Sequence, residues 1–165
     1  MSTYSIIPLT SADEPFLAEM MYQAIFVPAG TEAPPRSVVE APALHKYFAD
    51  FGTQSGDIGY KAINPQTGNL VGAAWLRLLS GDKKGYGYVD DQTPELSIAT
   101  APAHRGQGIG TQLLDQLFTA AAEHYSAISL SVWPENPAYR LYQRLGFVVV
   151  KQDEGDPAVT MIKYF

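Results

Sequence analysis

Apolar positions along the chain follow two periods. Between Pro15 and Val27, Phe16, Leu17, Met20, Met21, Ala24 and Ile25 recur at three- and four-residue spacing, which predicts an amphipathic helix. Thr10, Ser11 and Asp13 stand just before it as helix-start residues, and the short apolar run Ile6–Leu9 before them reads as a strand. A second stripe, Leu113, Leu114, Leu117, Phe118, Ala121 and Ala122, predicts a longer helix, and Pro137 to Leu145 a short one with Gly146 just past its end. A further short helix is expected from Pro42 to Asp50. Strand-like runs occupy Ile58–Ile63 and Leu70–Leu79, joined by the turn residues Asn64 to Asn69 as a hairpin. Others are Glu95–Thr100, the alternating segment about Ile128, Leu130 and Val132, and two closing strands at Phe147–Gln152 and Val159–Phe165. Pro28–Pro42, with its prolines and Gly30, reads as loop, and the glycine-containing Ser80–Pro94 as a mobile loop. The resulting order, β, α, α, β, β, β, α, β, α, β, β, implies one mixed sheet with helices packed on it.

Composition narrows the function. The chain has 165 residues, 46% of them hydrophobic and 17% charged, enough apolar material for one core and room for one domain, 1–165. Its formal net charge is −6, and no Lys/Arg run exceeds Lys83-Lys84, which argues against a nucleic-acid partner. There is no cysteine, so no thiolate metal site and no enzyme-bound thioester can form. His45, His104 and His124 fall on different elements without metal-ligand spacing, and no metal is expected. No basic stretch precedes an apolar run in Met1–Ser5, and no window approaches the roughly 20 apolar residues of a membrane span, so the expectation is a cytoplasmic protein without a membrane partner.

The chemistry concentrates in one segment, Glu95 to Thr111. There a strand ends, a loop carrying Arg105, Gly106, Gly108 and Gly110 follows, and a helix begins. Glycines let backbone approach a ligand closely, and the opening helix turn aims unpaired N–H groups and about half a positive charge at the same spot. That is a phosphate or pyrophosphate site. Two familiar phosphate loops do not fit: Thr111 stands where the dinucleotide fingerprint needs its third glycine, and no Lys occupies the P-loop position.

Here the sequence resembles the GCN5-related N-acetyltransferase (GNAT) family. Arg105-Gly106-Gln107-Gly108-Ile109-Gly110 matches the family's acetyl-CoA signature, Arg/Gln-x-x-Gly-x-Gly/Ala, at every fixed position. Asn136 followed by Leu141-Tyr142-Gln143-Arg144-Leu145-Gly146-Phe147 matches a second element. The resemblance implies the GNAT fold, an α/β architecture with a single mixed, mostly antiparallel sheet of about seven strands and about four helices on both faces. It also implies acetyl-CoA as donor. The backbone of Ile98, Ala99 and Thr100 would bond the pantetheine arm, and Gly106, Gln107, Gly108, Ile109, Gly110 and Thr111 would cradle the pyrophosphate beside Arg105. Asn136 would touch the CoA arm, and Tyr142 would lie close to the sulfur.

Acetyl transfer to an amine needs a base, a polarised carbonyl and help for the departing thiolate. A backbone N–H near Ile98 suits the second service and Tyr142, as general acid, the third. Glu95 is the expected base, with Asp90, Asp91, Glu135 or a water relay as alternatives. Absence of cysteine favours direct transfer in a ternary complex. Tyr139 reads as packing or acceptor lining, Trp75 as partly buried core, and Trp133 as core with a second reading as pocket wall. Glu32, Glu40, Asp82, Asp90 and Asp91 in the loops suggest a cationic acceptor, whether a small amine or a Lys or N-terminal amine. The closing strands offer an edge for a homodimer. The competing reading is a non-catalytic acyl-CoA sensor on the same fold.

Overall fold

The computed structural model describes residues 4–165; Met1–Thr3, part of the stretch read above for a leader, lie outside the described residues. Strand β1 (Ser5–Pro8) is followed by α1 (Glu14–Ala24) and the single-turn α2 (Pro42–His45). Next come β2 (Ile58–Ile63), β3 (Leu70–Arg77) and β4 (Glu95–Thr100), then α3 (Ile109–Ala121) and β5 (Ala127–Val132). The chain closes with α4 (Ala138–Arg144), β6 (Val148–Lys151) and β7 (Val159–Tyr164). All seven strands form one sheet in the order β1-β2-β3-β4-β5-β7-β6. Every pairing is antiparallel except β4 with β5.

That parallel pair shapes the molecule. β4 and β5 share only the register contact Glu95↔Ser129, with the Ser129 N–H donating to Pro94 O at 3.0 Å. Beyond it the strands part toward their carboxyl ends, leaving a gap in the middle of the sheet. β3, paired on both sides, is buried from Val71 to Arg77.

Helices cover both faces. α3 sets its predicted stripe of Leu113, Leu114, Leu117 and Ala121 against Val71, Leu76 and Ile128, with Tyr142 of α4 in the same core. α1 packs Leu17, Met20 and Met21 on the opposite face with Phe48, Phe51 and Trp75. Gly72 lets α3 come close, since a Cβ there would meet Ile109 Cγ2 at 3.2 Å and Leu113 Cδ1 at 3.3 Å.

Two expectations are corrected. The helix expected to run to Asp50 ends at His45, because β3 takes carbonyls a longer helix would use. The Trp75 indole N–H donates to Tyr47 O at 2.8 Å, and Arg77 Nη1 donates to Lys46 O at 3.1 Å and also to Ala49 O. Trp75 is accordingly core, 1% exposed. The segment Ser80–Pro94 is not free of the fold: Gly87 lies on β5, where a Cβ would sit 2.7 Å from the Leu130 carbonyl carbon, and Ser129 Oγ donates to Gly87 O at 2.7 Å.

Candidate active site

The gap between β4 and β5 opens into a cleft of about 640 Å³ lined by Ile98, Ala99, Thr100, Arg105, Gly110, Asn136 and Tyr142, with the end of α1 opposite. Strand alternation decides which β4 backbone groups face it. The Ala101 N–H donates to Val71 O at 2.8 Å, so by register Ala99↔Ala73 is also a hydrogen-bonded pair. Ala99 therefore spends its N–H and C=O on β3, while those of Ile98 and Thr100 point into the gap. Of the three residues named from sequence, two offer backbone and Ala99 offers only its side-chain surface.

The glycine-rich turn lies at the mouth of this cleft. Gly106 and Gly108 take positive φ (76° and 79°), and a Cβ at either would meet nothing within 4 Å, so the space above the turn is open. Gly108 is the residue preceding α3, and the first helical bond runs from the Gln112 N–H to Gly108 O at 3.1 Å. Among the described residues, none of the backbone N–H groups from Gly106 to Thr111 donates within the protein. Free amides thus converge with the positive end of the α3 dipole. Arg105 is exposed beside them and reaches Thr100 O (Nε, 3.3 Å) and Gln23 O (Nη2, 3.3 Å), bridging the mouth to α1. The Gln107 side chain turns away and accepts from Tyr4 Oη at 2.5 Å. His104, whose ring meets that of Tyr4 edge-on, belongs to the same anchor.

A second cavity of about 520 Å³ continues from the cleft on the α1 side, and Ile98, Asn136 and Tyr142 line both spaces. Asn136 Oδ1 accepts the Ala138 N–H at 3.0 Å and so starts α4, leaving the amide N–H groups free for the cleft. Tyr142, 8% exposed, rests its ring on Phe147 with centroids 5.6 Å apart, and its hydroxyl has no partner among the described residues. Burial pushes this phenol up to about 12. Tyr139 packs against the α3-side core and lines neither space. Trp133 lines the second cavity and is half-buried, its ring 5.7 Å from that of Phe26.

Glu95 is 3% exposed and does not line the cavity. Its Oε1 accepts the Tyr47 hydroxyl at 2.9 Å and the Gly87 N–H at 2.8 Å, while Oε2 is buried with no hydrogen-bond partner. Burial raises its carboxyl above the usual range despite these donors. Tyr47 stands between Glu95 and the cavity, and its oxygen accepts the Tyr86 N–H at 2.7 Å. Burial first, and then the neighbouring carboxylate, raise the Tyr47 phenol as well. Sequence reading missed Tyr47. The only signal was the alternate glycines Gly85 and Gly87, which mark backbone pressed against something: a Cβ at Gly85 would collide with both oxygens of the Glu95 carboxyl and with the Tyr47 hydroxyl. Glu32, Glu40, Asp82, Asp90, Asp91 and Glu135 do not line the cleft or the cavity. No group of three or more potential metal ligands occurs among the described residues.

Residues 22–147 match the model of the acetyltransferase (GNAT) family. The chain belongs to the GNAT family. Its solved structural neighbours include an acetyltransferase from Thermus thermophilus, at 22% identity and TM-score 0.66 over 100% of each chain. The GNAT domain of S. lividans PAT is 17% identical, with TM-score 0.66 over 98% of this chain and 90% of that one. A chimera of the spermidine N-acetyltransferase SpeG from Vibrio cholerae and hSSAT is 19% identical, with TM-score 0.61 over 99% and 96%. At these identities the likeness is one of fold: the GNAT sheet and its helices. No curated protein matches the sequence. Among the described residues no helix is long and apolar enough to cross a membrane.

Proposed function

We propose that this GNAT-family protein is an acetyl-CoA-dependent N-acetyltransferase that moves the acetyl group directly to an amine held in the same complex. The observation that carries the reading is the run of unpaired amides from Gly106 to Thr111, at a helix start and at the mouth of the sheet's one gap. A diphosphate satisfies such a cradle without demanding a basic surface, in keeping with the net charge of −6. Ile98 and Thr100 would bond the pantetheine arm and Arg105 would add charge near the phosphates. Asn136 would offer its amide N–H groups along the arm. Acetyl-CoA supplies an activated thioester.

The gap-facing Ile98 N–H is placed to polarise a carbonyl oxygen. Tyr142 stays protonated across the working pH range. An ordinary thiol in water titrates near 8.5, and the burial that raises the phenol would raise a thiol leaving in the same pocket as well. The role of Tyr142 is to donate a hydrogen bond to the departing sulfur. Glu95 acts as base through Tyr47: the amine gives a proton to the Tyr47 oxygen as the Tyr47 hydroxyl proton passes to Glu95 Oε1. A raised carboxyl pKa makes that acceptor stronger.

An amine acceptor is in keeping with the spermidine acetyltransferase among the structural neighbours. The test is release of free CoA from acetyl-CoA across a panel of primary amines. Amine-dependent release supports the reading. Saturable acetyl-CoA binding with no release would instead favour a sensor, and no binding would refute both.

A further inference from the structure

The chemistry of the second cavity points to the class of acceptor. A polyamine or a lysine-rich segment carries several charges and needs carboxylates along its path, and a phosphorylated or acidic acceptor needs Arg or Lys. The cavity offers neither. Among the described residues, Asp156 is the only charged side chain in its lining; it is exposed, with Oδ1 already accepting the Ala158 N–H at 2.9 Å. Otherwise the walls are apolar and aromatic, with uncharged polar groups from Ser97, Ser131, Asn136 and the tyrosines. Phe26 and Trp133 meet at 59° to form a corner, and Met21, Leu44 and Leu130 line the same cavity. Tyr47, hydrogen-bonded to Glu95, brings a polar group into this lining, with Ser97 and Tyr86 also in it.

Resting on the proposed acetyl transfer, we infer that the acceptor is a small primary amine with one nitrogen on an uncharged apolar body of aromatic size, seated in the Phe26–Trp133 corner with its nitrogen toward Tyr47. A volume of about 520 Å³ suits a small molecule. Ring faces and edges reward a flat apolar body by more than its buried area alone. Desolvation in such a pocket disfavours the ammonium form, so the site itself promotes the nucleophilic amine and lightens the task of Glu95. Further charges on the acceptor would be buried without partners.

The experiment compares 2-phenylethylamine, spermidine and glutamate as acceptors, with CoA release and calorimetric titration of each amine into protein saturated with CoA as separate readouts. The expected result is kcat/KM for 2-phenylethylamine at least about tenfold above either competitor, the discrimination an apolar pocket can supply. Phe26→Ala should raise KM for 2-phenylethylamine several-fold with little change in kcat, while acetyl-CoA binding reports that the variant is folded. Equal or better use of spermidine or glutamate overturns the inference and leaves acetyl transfer standing. Binding of 2-phenylethylamine in preference to its competitors, without CoA release, supports the pocket's chemistry and refutes the transfer reading. Absence of calorimetric binding and of turnover for 2-phenylethylamine overturns the inference outright.

Discussion

At the scale of single residues, the proposed chemistry rests on Tyr142 and Glu95, and each makes a separable prediction. Tyr142 packs through its ring and, on the proposed mechanism, acts through its hydroxyl, so Tyr142→Phe keeps the contact with Phe147 and would remove only the hydrogen bond to sulfur. Steady-state kinetics should show kcat lower by roughly a hundredfold, with acetyl-CoA affinity nearly unchanged. A matching loss of affinity would mean that the hydroxyl binds and does not assist departure. Glu95 makes a prediction in pH. Its carboxyl is raised in the folded state, so folding favours the protonated form: that contribution is complete below the unfolded value near 4.3 and is lost as pH rises through the folded value. Glu95→Gln cannot titrate. Any fixed effect of the amide cancels when melting midpoints are compared across pH, and the midpoint of the variant minus that of the native protein should increase from about pH 4 upward. In parallel, the acid limb of kcat/KM, displaced above the ordinary glutamate range, should flatten in the variant. A pH-independent midpoint difference would place Glu95 in solvent-like surroundings.

At the scale of elements, the strands and long helices were readable because each buries one periodic face: the stripe Leu113, Leu114, Leu117, Ala121 is wholly buried, as its spacing implies. The glycine turn was readable too, because chain direction, glycine spacing and a helix start all coincide within Arg105 to Thr111. What sequence could not reveal were contacts between distant segments. α2 is cut short by Trp75 and Arg77, donors far along the chain whose partners no local pattern predicts. Arg77 also forms a bidentate pair with Asp57 (Nε to Oδ1 3.0 Å, Nη2 to Oδ2 2.9 Å), both side chains almost fully buried. Asp57 accepts the Gly52 N–H at 2.8 Å as well, so the pair holds the turn after α2 against β3, on the sheet face that carries Tyr47. Asp57→Ala leaves a buried guanidinium without its counter-charge. Urea unfolding should show a loss of about 3–5 kcal/mol, the cost of breaking a buried pair on one side. A loss below about 1 kcal/mol would mean that water reaches the pair.

At the scale of the molecule, the sheet is a continuous antiparallel fabric interrupted once, and the candidate site lies at the interruption. β4 and β5 pair at Glu95↔Ser129 and part beyond it, so β4 turns unpaired backbone into a cleft that α3, α4 and the end of α1 enclose. Element order implied one sheet, but strand order within it, and hence the gap, depends on which strands meet in space and leaves no trace in local spacing. The cleft near the α3 start and the second cavity share Ile98, Asn136 and Tyr142 in their linings. That shared lining is in keeping with the proposed direct transfer, since two ligands entering from the two spaces would meet there. The central claim is that the amides of Gly106 to Thr111 hold the diphosphate of coenzyme A, and it is tested most directly by following backbone amide resonances of labelled protein during titration with CoA. The account predicts the largest shifts, saturating together, at Gly106 through Thr111, with smaller ones at Ile98 and Thr100. Saturable binding that leaves the Gly106–Thr111 resonances in place would contradict it.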